Sequence, residues 1–103
     1  MQKKVKIFND NLNYHKEQMP AYARLLDIQS EMGELSKEYL KSTNYGTQNF
    51  KLTDSFKDEF GDVLYAMLSL AEELNISSEE CLDIALAKLK HRMEQKNSIG
   101  SGR

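Results

Sequence analysis

The stretch PAYARLLDIQSEMGELSKEYLK, residues 20–41, decides the fold. Its apolar side chains recur at steps of three and four residues, at Leu25, Ile28, Met32, Leu35 and Tyr39. This spacing aligns them along one side of an α-helix, as in helices that pack within a bundle. The stretch therefore predicts a helix from about residue 20 to residue 41, with Pro20 in its first turn.

Two further segments downstream carry the same period. A second long helix is predicted to start at the caps offered by Thr53 or Asp54 and to end near residue 74. Ser77 and Glu80 have the spacing of a capping box, which predicts a third long helix from there to about residue 95. Because no segment alternates as a strand does, the expected fold is all-α.

A chain of 103 residues with 40% hydrophobic residues predicts a single domain, residues 1–103. Its leading segment, residues 1–19, offers apolar residues at helical spacing and predicts a short helix over 5–17, and residues 97–103 form a Gly/Ser tail that is expected to fray. The expected architecture is a bundle of three main helices plus this short helix. Apolar residues outside the main stripes, such as Leu26 and Leu64, predict completion of the bundle by oligomerisation.

Composition excludes several functional classes. The net charge of -2 disfavours a nucleic acid polymer as partner, since such proteins carry a basic excess. The longest apolar run, VLYAMLSLA, is about half of what a membrane span needs. The single cysteine, Cys81, suits a reducing compartment. We therefore expect a soluble, cytoplasmic protein without a membrane partner.

Four acids lie at the margins of the predicted apolar stripes, in two pairs spaced three residues apart: Glu31 with Glu34, and Glu59 with Asp62. Like charges one turn apart repel, and the repulsion grows near a core of lower dielectric constant. A bound cation would neutralise the repulsion. Ligands that are all oxygen favour Mg²⁺, with Mn²⁺ as the alternative.

Two weaker candidate groups accompany the acids. Lys88 and Arg92, one turn apart beside the stripe of the third helix, suit phosphate contacts, although cations near a helix C-terminus also complement the helix dipole. Asn44 and Tyr45 suit contacts with a nucleotide base, although turns contain the same residue types. The three long helices are predicted to surround one polar pocket.

The two acidic pairs, with a spacer of 24 residues and the following GDVLY, resemble the MazG-like nucleoside triphosphate pyrophosphohydrolases of the all-α NTP pyrophosphatase superfamily. The resemblance covers roughly residues 22–102. It implies Mg²⁺-dependent hydrolysis of a nucleoside or deoxynucleoside triphosphate to the monophosphate and pyrophosphate, as nucleotide-pool house-cleaning. It also implies that Glu31, Glu34, Glu59 and Asp62 hold the metal, and a dimer or tetramer whose pocket is lined partly by the neighbouring subunit.

Elementary electrostatics agrees with this resemblance, because a triphosphate with about four negative charges approaches four carboxylates only with a divalent cation between them. The alternative hypothesis is a non-catalytic helical module for oligomerisation or partner binding. That module shares the whole helix pattern, and binding of a divalent cation at the acids separates the two hypotheses.

Overall fold

The computed structural model describes residues 1–12 and 20–101, with side chains up to residue 97. The described chain forms four α-helices and no strand: α1 (Gln2–Leu12), α2 (Ala21–Ser42), α3 (Asp54–Glu73) and α4 (Ser78–Ser101). The all-α prediction is confirmed. None of these four helices is long and apolar enough to cross a membrane.

The helices start close to the predicted caps. The Thr53 hydroxyl accepts a hydrogen bond from the Phe56 N–H at 3.1 Å at the start of α3. The Ser77 hydroxyl accepts one from the Glu80 N–H at 3.1 Å, which is half of the predicted capping box. Pro20 is the N-cap of α2 and not part of its first turn, because its ψ of 149° is extended.

Two predicted boundaries were wrong. α1 begins at Gln2 instead of residue 5, and residues 13–17 of the predicted leading helix lie outside the described residues. α4 continues to Ser101, through most of the segment predicted as a frayed tail. A single glycine near a helix end costs only about 1 kcal/mol, so Gly100 does not stop the helix.

α3 is the central helix, with α2 packed along one side of it and α1 along another. Its buried residues are Ala66, Leu68, Ser69 and Ala71, and Val5 of α1 is buried as well. α2 and α3 run antiparallel, because Arg24 near the start of α2 bonds Glu73 at the end of α3. The middle of α2, with its acidic pair, therefore lies opposite the acidic pair of α3.

α4 stands apart from the other helices along most of its length. The apolar stripe by which α4 was predicted to pack against the other helices is exposed to solvent. Its exposed members are Leu82, Leu86, Leu89 and Met93, and the exposed fraction of Met93 is 64%. The prediction that three packed helices surround one pocket is therefore wrong for a single chain. Periodicity defines the apolar side of a helix but not the surface that covers it.

The stripes of α2 and α3 are also largely open to solvent in one chain. Leu25, Met32 and Tyr39 of α2, and Phe60 and Met67 of α3, are exposed. The radius of gyration of 18.1 Å exceeds the roughly 13 Å of a compact domain of this length. One chain thus leaves uncovered much of the apolar surface that the sequence assigns to a core.

Candidate metal centre

Three carboxylates from two helices converge in the middle of the α2–α3 hairpin. Glu31 of α2 and Glu59 and Asp62 of α3 each offer an oxygen, and these oxygens lie within 4.8 Å of one another. Glu31 and Glu59 are half-buried, and Asp62 is exposed. Oxygen ligands of one Mg²⁺ at about 2.1 Å lie roughly 3–4 Å apart, so small side-chain movements suffice to make these oxygens its ligands.

Glu34, the fourth predicted ligand, is not part of this three-carboxylate cluster. It is exposed on α2, one turn after Glu31. Its charge still acts on the cluster, because it helps to raise the pKa values of Glu31 and Glu59. The structure thus brings together three of the four predicted acids and leaves the fourth outside their cluster.

The two half-buried glutamates hold their protons more tightly than a free glutamate does. Burial raises the pKa of Glu31 above its ordinary value of 4.5, and the charges of Asp62, Asp27 and Glu34 raise it further. Burial likewise raises the pKa of Glu59, followed by the charges of Asp62, Glu31 and Glu34. Both shifts express the cost of ionising crowded carboxylates without a cation.

Arg24, which sequence reasoning missed, joins the first turn of α2 to the last turn of α3. Its Nε and Nη2 donate to one oxygen of Glu73 at 3.2 and 3.1 Å, and its Nη1 lies 3.5 Å from Asp27. Its guanidinium carbon lies 5.8 Å from the centroid of the Tyr65 ring. No local pattern in the sequence pairs Arg24 with Glu73, because 49 residues separate them.

Lys88 and Arg92 do not reach the acids within one chain. Both are exposed on α4, and α4 does not pack against α2 or α3 over the described residues. Any contribution of these cations to the acidic site would therefore come from another copy of the chain.

The loop after α2 holds Asn44, Tyr45 and Gly46 at positive φ values of 48°, 58° and 85°. Such angles are uncommon for residues other than glycine, most of all for a bulky one such as Tyr45, which is 69% exposed. Buried Thr43 fixes the loop, because its hydroxyl accepts from the Gly46 N–H at 3.0 Å and its carbonyl accepts from the Gln48 N–H at 2.9 Å. Sequence reasoning identified Asn44 and Tyr45 but missed Thr43.

An aromatic row runs from the end of α2 to the first half of α3. The rings of Tyr39 and Phe50 stack with centroids 5.4 Å apart, Phe50 meets Phe56 edge-on at 5.0 Å, and Phe56 lies 6.5 Å from Phe60. Phe60 directly follows the cluster residue Glu59. Sequence reasoning missed the row because Phe50 lies outside any helical period.

No protein-family model matches this chain. It superposes on a Bacillus-conserved MazG protein, described as a nucleotide pyrophosphohydrolase, with a TM-score of 0.71 and 30% identity over 86% of this chain and 84% of that one. This chain belongs to the MazG-like proteins.

Two comparisons with YpjD of Bacillus subtilis agree with this assignment. The solved structure of YpjD, which is proposed to be a pyrophosphatase, superposes on the MazG-like chain with a TM-score of 0.68 and 30% identity over 85% of this chain and 86% of that one. The uncharacterized protein YpjD of strain 168 is 36% identical over an alignment of 73 positions that covers 68% of this chain. The MazG-like chain spans 64% of the length of that relative.

The acids of this MazG-like chain form a donor set for a hard divalent cation. Glu31, Glu59 and Asp62 offer only oxygen, which favours Mg²⁺ or Mn²⁺ over zinc. Asp62 is exposed, so the cluster is open to solvent on one side and accessible to a ligand. The arrangement can bind a cation and present it to phosphate oxygens from solvent.

Proposed function

We propose that this chain hydrolyses a nucleoside or deoxynucleoside triphosphate to the monophosphate and pyrophosphate, with Mg²⁺ held by its acids. The convergence of Glu31, Glu59 and Asp62 across α2 and α3 carries this proposal. Two solved structures of the same fold, one described as a nucleotide pyrophosphohydrolase and one proposed to be a pyrophosphatase, support it. The work of such an enzyme is nucleotide-pool house-cleaning, and we expect it in the cytoplasm.

The acids have two tasks in this proposal. Glu31, Glu59 and Asp62 hold the metal, and Glu34, whose charge acts on Glu31 and Glu59, shares in its ligation or orients a bound water. Bound Mg²⁺ neutralises phosphate charge and lowers the pKa of a water ligand. Water attacks the α-phosphorus, a glutamate of the cluster accepts its proton, and the bond from the α-phosphorus to the bridging oxygen breaks to release pyrophosphate.

The active form in this proposal is a homo-oligomer, a dimer or a tetramer. The exposed stripes of α2, α3 and α4 support it, because large apolar side chains exposed in rows on three helices are typical of interfaces. Lys88 and Arg92 then reach the phosphates from the α4 helix of a neighbouring copy. The stretch of α4 over residues 88–96 is basic, with Lys88, Lys90, Arg92 and Lys96 against Glu94, and is complementary to the acidic cluster.

The loop and the aromatic row are the proposed contacts of the base. Tyr45 is exposed on a loop that Thr43 fixes, and Asn44 offers an amide for hydrogen bonds. About 12 Å of helix separates Glu34 from the end of α2 at Ser42, which is comparable to the length of a nucleotide. Phosphates at the acids therefore place a base near this end of the hairpin.

Release of pyrophosphate from a panel of nucleoside triphosphates tests the proposal. The wild-type chain should release pyrophosphate with Mg²⁺ and not after chelation. Glu59→Gln should lose most of this activity, because it removes a ligand charge at constant volume, whereas the exposed Glu79→Gln on α4 should keep it. Equal turnover of Glu59→Gln and wild type at saturating Mg²⁺ would place the site elsewhere.

The non-catalytic helical module is the second candidate, and the exposed stripes favour it equally. The two candidates differ in their response to metal. A Mg²⁺- or Mn²⁺-dependent rise in melting temperature that Glu59→Gln abolishes supports the enzyme. A chain that assembles without any response to either ion supports the module.

A further inference from the structure

The second residue of the chain connects three helices. The Gln2 side chain donates from Nε2 to Glu72 Oε1 at 3.1 Å and to the Ile76 carbonyl at 2.8 Å. Its Oε1 accepts from the Ser78 N–H at 2.7 Å. One amide of α1 thus contacts the last turn of α3, the turn between α3 and α4, and the first residue of α4.

Only an amide side chain satisfies all three partners. Glu72 and the Ile76 carbonyl require donors, and the Ser78 N–H requires an acceptor, so the partners themselves fix the orientation of the Gln2 amide. A carboxylate at position 2 has an acceptor for the Ser78 N–H, but it would set an oxygen against two other oxygens, whose repulsion pushes the side chain away and breaks the bond from Ser78. The site therefore distinguishes Gln from Glu, which have nearly the same shape.

Within one chain, these bonds matter because few other contacts hold the direction of α4. In the part of the chain that the structure describes, α4 packs along none of the other helices, and the turn before it contains Asn75 at a φ of 57°. Lys88 and Arg92 lie about 15–21 Å along α4 from Ser78. A tilt of about 10° at the first turn of α4 moves them by about 3 Å, the length of a hydrogen bond.

We propose that Gln2 is a positioning residue that fixes the direction of α4 and, through it, the place of Lys88 and Arg92. The effect on turnover rests on the proposed function, whereas the effect on α4 does not. The N-terminal helix then serves as the anchor of the cation-bearing helix as well as a cover for α3.

Hydrogen exchange of backbone amides tests the positioning directly on the full chain. Gln2→Glu should speed exchange of the amides at Ser78 and in the first turn of α4 about tenfold, as loss of hydrogen bonds at that turn produces. The amides of Ala66–Ala71 should keep their rates. Gln29→Glu, the same change at an exposed site on α2, is the control and should change neither region.

Exchanging the two partners provides a rescue. In the combined variant Gln2→Glu/Glu72→Gln, the carboxylate accepts from both the Ser78 N–H and the new amide, so slow exchange of the first turn of α4 should largely return. The inference is overturned if Gln2→Glu leaves the first turn of α4 as protected as wild type. It is equally overturned if Gln2→Glu speeds exchange uniformly, or if the combined variant exchanges no more slowly than Gln2→Glu.

Kinetics provide the second measurement. Gln2→Glu should raise the KM for the nucleotide more than it lowers kcat, and the combined variant should restore KM. A positioning role also predicts that adding Lys88→Ala to Gln2→Glu raises KM less than Lys88→Ala does alone, and fully additive effects would contradict it. If wild type hydrolyses no nucleotide, the proposed function fails, while the exchange result still decides the role of Gln2.

Discussion

At the scale of single residues, the acids of α2 and α3 are not equivalent. Glu31, Glu59 and Asp62 converge, and Glu34 lies outside the cluster. We predict that Glu59→Gln and Asp62→Asn weaken Mn²⁺ binding at least tenfold, the effect of losing one ligand charge, and that Glu34→Gln weakens it less. Isothermal titration calorimetry of the three variants measures this order. A weaker affinity in Glu34→Gln than in Asp62→Asn would contradict the geometry.

The raised pKa values of Glu31 and Glu59 predict how stability depends on pH. Both pKa values are higher in the folded chain than in the unfolded chain. At pH values between the unfolded and the folded pKa, the folded state therefore binds more protons than the unfolded state. Without metal, the stability that these two groups contribute is therefore greatest below the ordinary value of 4.5 and is lost as pH rises through the folded pKa values. Melting temperatures in a chelating buffer should therefore fall as pH rises above this ordinary value.

Mg²⁺ should reverse this trend, because it binds the ionised acids and stabilises the folded chain more at the higher pH. Glu31→Gln should raise the melting temperature of the metal-free protein at neutral pH and reduce the response to Mg²⁺. A metal-free melting temperature that rises with pH through this range would show that the acids are not crowded in solution.

At the scale of helices, the Arg24–Glu73 pair holds α2 against α3. The side chains are only 11% and 18% exposed, and Arg24→Ala leaves Glu73 half-buried without its cation. We predict a loss of about 2–4 kcal/mol in the free energy of unfolding, measured by urea denaturation at fixed protein concentration. Lys6→Ala, which breaks the exposed Lys6–Asp10 pair, should leave stability nearly unchanged. Equal effects would contradict the role of Arg24.

The sequence predicts elements better than it predicts their contacts. Helical spacing located α2 and α3 within one or two residues, since period and caps are local properties. Helical spacing also placed Glu31, Glu59 and Asp62 beside the apolar stripes of their helices. The antiparallel packing of α2 and α3 then brings these three acids together. The Arg24–Glu73 pair spans 49 residues, and the separation of α4 from the hairpin depends on tertiary packing, so no local pattern indicates either one.

At the scale of the whole molecule, the exposed apolar faces predict assembly. We expect light scattering at micromolar concentration to give a mass of at least twice the 11.9 kDa of one chain. Met67→Glu on α3 and Leu86→Glu on α4 place a charge on an exposed apolar stripe and should lower that mass. Asp83→Asn, an exposed change on α4, should not. A single-chain mass in a sample that still hydrolyses nucleotide would contradict the assembly.

Assembly also decides where Lys88 and Arg92 act. We predict that two inactive variants restore activity when they are mixed, because α4 does not reach the acids of its own chain. One variant carries Glu59→Gln, and the other carries Lys88→Ala and Arg92→Ala. In half of randomly paired dimers, the intact acids of one chain then meet the intact cations of the other, which gives about a quarter of wild-type activity. If the cations serve the acids of their own chain, no mixed dimer contains an intact site, and pyrophosphate release after subunit exchange stays at the level of the separate variants. Each defective chain mixed with itself is the control for exchange without complementation.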